Sequence, residues 1–557
     1  MTTISFPEDF NLADYFLFNR ERDGKATKVA LQFGERSWTY GAIADRARTL
    51  ARYYVDAGLR PEQRVYVVLP DVPPFAWAIF ATFAAGGVLT MGNPNAPEED
   101  LRSVLEYVRA TILVTTPAVA TVLAPHLENL PNLTTVLLVP DVATGDDPEA
   151  RCDVPDMMRE YVTKRRVLSL DQALDLAERS ITELPQTKRD DPAVWLFTSG
   201  STGRAKAAMH SHRDFAFNTE VYAKRTVGYR ESDIAISVPR LFFGYATGTN
   251  LWFPFAVGAT VGLFSERPTP ETIAKAIERY KPTIVTNVPT MLGKLLDLDD
   301  ERRARGEPGL DMSCVRFHLS AGEALPEPLL RRFIDRFGGE VYDGIGSAEM
   351  FHIYCTNRPG DVMPGSLGRA VEGYTLKILP EDAEGAGTPE LPPNEIGVLW
   401  VKGDSVAEGY FQDREKSWRT FHGRWCRTGD LFHIDEHGYL WFSGRADDLF
   451  KVGGIFVAPR EVEDCLLGHD AVSQVAVIPG EDHGLTKPKA VVVLRPDARD
   501  RDRRALADEL KAHVQRSLSK HKYPRWVVFV DELPKNDRGK VDKKLLIERE
   551  KRGELTE

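Results

Sequence analysis

At 557 residues the chain exceeds what one hydrophobic core organises, and its length predicts about two to four structural units. With 43% hydrophobic and 27% charged residues it has the balance of folded domains, which excludes a disordered or fibrous protein. The net charge of -11, with acids and bases interspersed, offers no electrostatic footprint for DNA or RNA, so no nucleic-acid partner is expected.

The first ten residues, MTTISFPEDF, are acidic where a secretory signal needs a positive start. Cys152, Cys314, Cys355, Cys426 and Cys465 are scattered, without metal-ligand or disulfide spacing, so reduced thiols and a cytoplasmic location are expected. The uncharged run from Phe75 to Gly92 reaches the lower limit for a bilayer helix, but Gly86 and Gly87 interrupt it. It reads as a buried helix over Phe75–Ala85 followed by a strand over Val88–Met91, and no membrane partner is expected.

In chain order, Val65–Leu69, Ile112–Thr115, Val136–Val139 and Val194–Phe197 are apolar, β-rich runs alternating with amphipathic stretches. That alternation predicts a parallel α/β layer. A second layer is expected from Ile234–Val238, Thr260–Phe264 and Ile284–Thr286, with a helix at Glu271–Tyr280. Between Pro364 and Gly444 the texture changes to short strands and turns marked by Gly365, Gly368, Gly373, Pro392-Pro393, Gly397 and Gly438, which predicts a small β domain. The excess of acid lies upstream of Arg445, and Arg499–Arg504 reads as a solvated surface loop.

The most informative segment is Trp195-Leu-Phe-Thr-Ser-Gly-Ser-Thr-Gly-Arg-Ala-Lys206, a strand running into hydroxyl and glycine residues and then a lysine. Gly200 and Gly203 let backbone N–H groups approach anionic oxygens. Thr198, Ser199, Ser201 and Thr202 add hydroxyl donors, and Lys206 supplies countercharge. Taken alone such a cluster is a flexible turn, and its spacing fits neither the P-loop nor a dinucleotide-binding fingerprint.

The segment resembles the T-S-G-[ST]-T-G-x-P-K-G motif of the adenylate-forming superfamily, which includes acyl-CoA synthetases, carrier-protein adenylation domains and luciferases. The chain departs from it at Ala205 and Ala207, where the family has proline and glycine. The resemblance continues in family order through Asp343-Gly-Ile-Gly-Ser-Ala-Glu349, Thr428-Gly-Asp430, Gly444-Arg-Ala-Asp447 and Gly539-Lys540.

It implies an α/β multidomain fold. A large N-terminal domain over 1–444, with two α/β subdomains and a small β-barrel-like one, would precede a smaller, mobile α+β C-terminal domain over 445–557. ATP, Mg2+ and coenzyme A would be the cofactor and cosubstrates. Glu349 would hold magnesium as a hard oxygen ligand, and Lys540 would bring positive charge to the meeting carboxylate and α-phosphate. Gly322, Glu323, Ala324 and Asp343 would border adenine, Asp430 would accept the ribose hydroxyls, and Arg445 would partner the ribose or phosphate edge. Asp447 would be the hinge, acting with the Lys451–Gly454 loop. The family threonine that contacts the α-phosphate is Ala348 here.

For the acid, Arg240-Leu-Phe-Phe-Gly-Tyr-Ala246 lacks the aspartate with which amino-acid adenylation domains hold an ammonium. Phe243 and Tyr245 around Gly244 suit a flat apolar ring. This string, with Ser-Ala-Gly-Glu-Ala-Leu-Pro and the segment through His352, resembles the benzoate-CoA ligase branch. Ile345 and His352 match pocket-lining positions, and Gly244 stands where the branch has alanine, which suggests room for a ring substituent.

The expected activity is therefore an aryl-CoA ligase acting on benzoate, 2-aminobenzoate or a hydroxybenzoate. The alternatives are an enzyme loading an aryl-carrier protein, or a noncatalytic nucleotide sensor. Small aromatic acid, ATP and coenzyme A are the expected partners, and a homo-oligomer is compatible with the sequence.

Overall fold

A computed structural model of the protein describes residues 4–177, 183–199, 205–323, 325–445, 450–452, 455–457, 459–482, 485–535 and 541–556. Both expected α/β layers are present. The first sheet has eight strands in the order Gly409–Tyr410, Ala205–Ser211, Pro192–Ser199, Val88–Met91, Arg64–Val68, Ile112–Thr115, Thr135–Leu138 and Arg166–Ser169. The last six run parallel, and the first two are antiparallel additions at one edge. The second sheet has nine strands, with Val29–Phe33, Thr260–Leu263, Ile234–Ser237, Ile284–Asn287, Phe317–Ser320 and Glu340–Gly346 parallel at its centre.

One apolar core joins the two sheets: Val65, Val67, Leu89 and Val114 of the first share it with Leu31, Leu263 and Phe317 of the second. The helix Pro73–Ala84 lies in this core with every residue buried. That is why its sequence is apolar on all sides and imitates a membrane segment. Phe80 stacks on Phe255 at 5.4 Å, Trp77 meets Trp38 edge-on at 6.4 Å, and Gly86, at φ +68°, turns the chain into Val88–Met91. Among the described residues no helix is long and apolar enough to cross a membrane.

The stretch from Pro364 to Gly444 is less self-contained than its sequence suggests. Thr375–Leu379, Gly397–Lys402, Trp425–Ile434, Phe421–His422 and Leu440–Arg445 form the expected antiparallel sheet. Arg369–Ala370 instead closes the edge of the nine-stranded sheet, and Gly409–Tyr410 closes the edge of the eight-stranded one. Two-residue strands have too few ladder bonds to stand alone, and here they cap sheet edges. Gly397 is not a turn residue; it opens a strand opposite Phe432.

The C-terminal portion packs the helices Pro459–Leu467 and Arg503–Ser517 on a sheet of Val472–Asp482, Leu485–Leu494 and Trp526–Phe529, around its own core. Arg503 and Arg504 begin a helix rather than ending a loop, because the Asp502 carboxylate accepts the Ala505 N–H and caps it.

Replacing Phe80 by alanine removes the ring that bridges helix and core. Phe80→Ala is expected to lower N-terminal stability by about 3–5 kcal/mol, read as a shift of the corresponding denaturant midpoint.

Candidate active site

The strands Pro192–Ser199 and Ala205–Ser211 pair antiparallel, with Thr198 opposite Lys206. The tip between them, including Gly200, Ser201, Thr202 and Gly203, lies outside the described residues. Thr198 is half-buried at the strand's end, and Ser199 is the last residue of that strand. Lys206 is 9% exposed, with its ammonium 5.9 Å from the centre of the Tyr410 ring. Burial lowers its pKa, the nearby Lys416 charge lowers it further, and Asp413 and Glu349 oppose the shift.

Glu349 lies on a single 3-10 turn, Ala348–Met350, and its Oε1 accepts the Tyr410 hydroxyl at 2.7 Å. Burial first, then the Glu349 charge, raises the Tyr410 pKa, so this phenol stays a donor. Phe351 follows with φ +69° and ψ -58°, a sparsely populated conformation for a non-glycine residue, which costs about 1–3 kcal/mol. The reversal at Phe351 separates Glu349, whose carboxylate meets Tyr410, from His352, which packs among aromatic rings.

Asp343 closes the parallel part of the second sheet. Asn287 and Ser320 end their strands and Asp343 is the last register partner of the parallel ladder beside them, at the edge where α/β sheets bind ligands. Burial pushes the Asp343 carboxyl up to about 7, against the Ser320 hydroxyl, the Leu325 N–H and the Arg460 charge. Gly322 sits nearby at φ +90°. Glu323 accepts the Thr290 hydroxyl at 2.8 Å and the Thr290 N–H at 3.3 Å, holding the start of the helix Pro289–Ala304. Ala324 lies outside the described residues. Asp430 faces Arg445 in register across the β-domain ladder, and Glu349 and Asp430 both act on the buried Tyr354 and Cys426.

The aromatic wall is built on the short helix Gly244–Thr247. Beneath it the buried Asp71 accepts the Leu241 N–H at 2.9 Å and lies 3.7 Å from the Arg240 guanidinium, so Arg240 anchors the wall. Phe243 packs on Phe242 at 4.4 Å; Tyr245 and Tyr222 each lie 5.4 Å from the His352 ring. His352 Nε2 donates to the Tyr245 carbonyl at 3.0 Å, and burial lowers the His352 pKa to about 3. Ile345 is half-buried on the strand leading to the turn. Gly244 frees less room than the sequence suggests: a β-carbon there would meet both Leu196 methyls at 3.3 Å, so Leu196 already fills that side.

From the C-terminal portion, the Glu323 charge acts on Lys535 and the Arg460 charge on Asp343, so this portion borders the same cleft. Lys540 and Asp447 lie outside the described residues, as do Gly453 and Gly454. Sequence reasoning missed Tyr410, which two-residue pairing brings to Glu349, and the buried pair His210 and Asp214. The signal for the pair was the Ser211-x-x-Asp214 spacing of a helix capping box.

The family model for AMP-binding enzymes matches residues 18–411, and the one for the AMP-binding enzyme C-terminal domain matches residues 461–540. The chain belongs to the AMP-binding enzyme family. It is 36% identical to the benzoate-CoA ligase of Thauera aromatica, over 97% of this chain and 96% of that one. Among solved structures it resembles the anthranilate CoA ligase AuaEII in complex with anthranoyl-AMP, with TM-score 0.86, 31% identity and 99% of each chain covered. It also resembles a benzoate CoA ligase from Burkholderia xenovorans LB400, with TM-score 0.82, 33% identity and coverage of 96% and 99%.

The residues present fit the nucleotide of an AMP-binding enzyme. Asp343 Oδ1 and Ser347 Oγ are buried without a hydrogen-bond partner among the described residues, a costly state that ligand groups can relieve. Glu349 offers the hard oxygen that magnesium prefers.

In the folded AMP-binding enzyme Asp343 keeps its proton up to about 7, whereas an unfolded chain releases it near about 4. Unfolding between those values releases a proton, so this group's contribution to stability falls as pH rises through the window. Asp343→Asn is expected to remove that component, and thermal melts from pH 4 to 7 would reveal it as a change of slope.

Proposed function

We infer that the protein is an ATP-dependent, AMP-forming ligase that joins benzoate or a ring-substituted benzoate to coenzyme A through an acyl-adenylate. The observation that carries this reading is the turn from Ala348 to His352. Within five residues it bears a carboxylate that meets the Tyr410 hydroxyl, with the Lys206 ammonium 5.9 Å from the centre of that ring, and an imidazole packed on Tyr245 of the string Arg240–Ala246, which has no acidic residue for an ammonium.

The acid's carboxylate attacks the α-phosphorus of ATP and pyrophosphate leaves; the thiol of coenzyme A then attacks the adenylate's carbonyl and AMP leaves. Lys206 and the hydroxyl and N–H donors of 198–203 bind the phosphates. Glu349, oriented by Tyr410, would hold magnesium, which neutralises charge on the departing pyrophosphate. Asp343 and Gly322 border the base and Asp430 takes the ribose. Lys540 balances charge as carboxylate and phosphate oxygens meet. The influence of Glu323 on Lys535, five residues before Lys540, supports a docked position of the C-terminal portion that serves this half of the reaction. We assign the domain division to Gly444 and Arg445 and the hinge to Asp447, so that the small domain turns before the thiol enters.

Lys540→Ala is expected to slow acid-dependent exchange of labelled pyrophosphate into ATP by about 100-fold or more, while thioester formation from supplied benzoyl-adenylate stays near wild type. AMP release that is indifferent to coenzyme A in the unmodified enzyme would rule against this acceptor.

The acyl site also bears on the ring. His352 is neutral at ordinary pH and donates from Nε2, so its Nδ1 carries a lone pair, and neither Nδ1 nor the Tyr245 hydroxyl has a partner among the described residues. An amino or hydroxyl substituent supplies the missing donor. Across a panel of acids, a 2-aminobenzoate or hydroxybenzoate is expected to exceed benzoate in kcat/KM by about tenfold, the equivalent of one satisfied buried hydrogen bond. In His352→Leu that margin should vanish.

A further inference from the structure

The strand Ala205–Ser211 reaches the Glu349 turn at more than one point. Side chains alternate along a strand, so Lys206, Ala208 and His210 share a face. Lys206 is the phosphate lysine, Ala208 is the register partner of Tyr410, whose hydroxyl meets Glu349, and His210 is the third position.

His210 is 1% exposed, and its ring spans two acceptors. Nε2 lies 2.6 Å from the Ala348 carbonyl oxygen, which cannot donate, so the imidazole does; Nδ1 lies 3.0 Å from Asp214 Oδ2. Asp214 is itself held by the Ser211 N–H at 3.1 Å and the Ser211 hydroxyl at 2.8 Å, at the start of the helix His212–Asn218. The neighbouring carbonyls are also engaged: that of Glu349 accepts the Ala407 N–H at 2.8 Å, and that of Met350 accepts the Ser405 hydroxyl at 2.9 Å. The strained Phe351 is thus preceded by three consecutive carbonyls that the surrounding structure holds in place. Position 348 has no side-chain hydroxyl to reach a phosphate, so the turn acts through its backbone placement and through Glu349.

We propose that His210, oriented by Asp214, is a positioning residue for adenylation. By gripping the Ala348 carbonyl it fixes the turn that aims the Glu349 carboxylate at the phosphate-bound metal. The inference rests on the ligase reading and on Glu349 as the magnesium ligand.

Two amides separate the two grips of the ring. His210→Asn keeps a group near Nδ1 for Asp214 but has nothing to reach Ala348, whereas His210→Gln keeps a donor near Nε2. Binding of Mn2+ to the complex with a nonhydrolysable ATP analogue, followed by the loss of the free-ion EPR signal, reads the metal site without turnover. Thermal unfolding and both half-reactions are measured alongside.

His210→Asn is expected to weaken Mn2+ by about tenfold, the scale of one lost hydrogen bond near a charged site. It should raise the Mg2+ needed for half-maximal pyrophosphate exchange to the same extent, leave thioester formation from supplied benzoyl-adenylate within about twofold, and be partly rescued in His210→Gln. If His210→Asn does not fold, His210→Met, which fills the volume without a donor, takes its place with the same expectations. Wild-type Mn2+ affinity in the variant, or equal loss of both half-reactions, would overturn the positioning role. Absence of aryl-acid-dependent exchange in the unmodified enzyme would instead overturn the ligase reading.

Discussion

The site depends on one constraint: the turn from Ala348 to His352 must reverse direction at Phe351 without the help of a glycine. That geometry is unfavourable by itself and persists because neighbouring elements hold it from several sides. The strand Ala205–Ser211 supplies His210, the two-residue strand beside it supplies Tyr410, and the loop before that supplies Ser405 and the Ala407 N–H. A carboxylate that meets the Tyr410 hydroxyl and an imidazole packed among aromatic rings can therefore sit three residues apart in different surroundings.

The same economy links core and pocket. The Arg240–Asp71 pair is buried where an uncompensated charge would be costly, and backbone hydrogen bonds support it: the Leu241 N–H donates to Asp71, while Arg240 Nη2 donates to the Phe264 and Glu266 carbonyls. It fixes the base of the aromatic wall. Leu196, in the middle of the strand Pro192–Ser199, lies against the other side of that wall at Gly244. The strand Pro192–Ser199 and the aromatic wall thus share their packing, and a change in one is felt in the other through packed side chains.

The C-terminal portion contributes charge to this cleft. Arg460 and Lys535 reach Asp343 and Glu323 electrostatically, while their own element packing is satisfied locally: the buried Glu463 accepts the Val477 N–H at 2.8 Å and pairs with Lys543 at 2.7 Å.

Periodicity and motif order were enough to read the two α/β layers, the buried helix at Pro73–Ala84, the strand Pro192–Ser199 that runs into the glycine-rich segment, and the aromatic residues around Gly244, because each is written in contiguous residues whose chemistry and spacing suffice. Contacts between segments distant in the chain could not be read that way. The grip of His210 on Ala348 spans 138 positions and that of Tyr410 on Glu349 spans 61. The edge roles of Arg369–Ala370 and Gly409–Tyr410 depend on which sheet has an open ladder, and the room at Gly244 depends on Leu196 from the strand Pro192–Ser199. Local sequence determined which groups are available for the chemistry; tertiary packing decided which of them meet, because hydrogen bonds and excluded volume act through space and not along the chain.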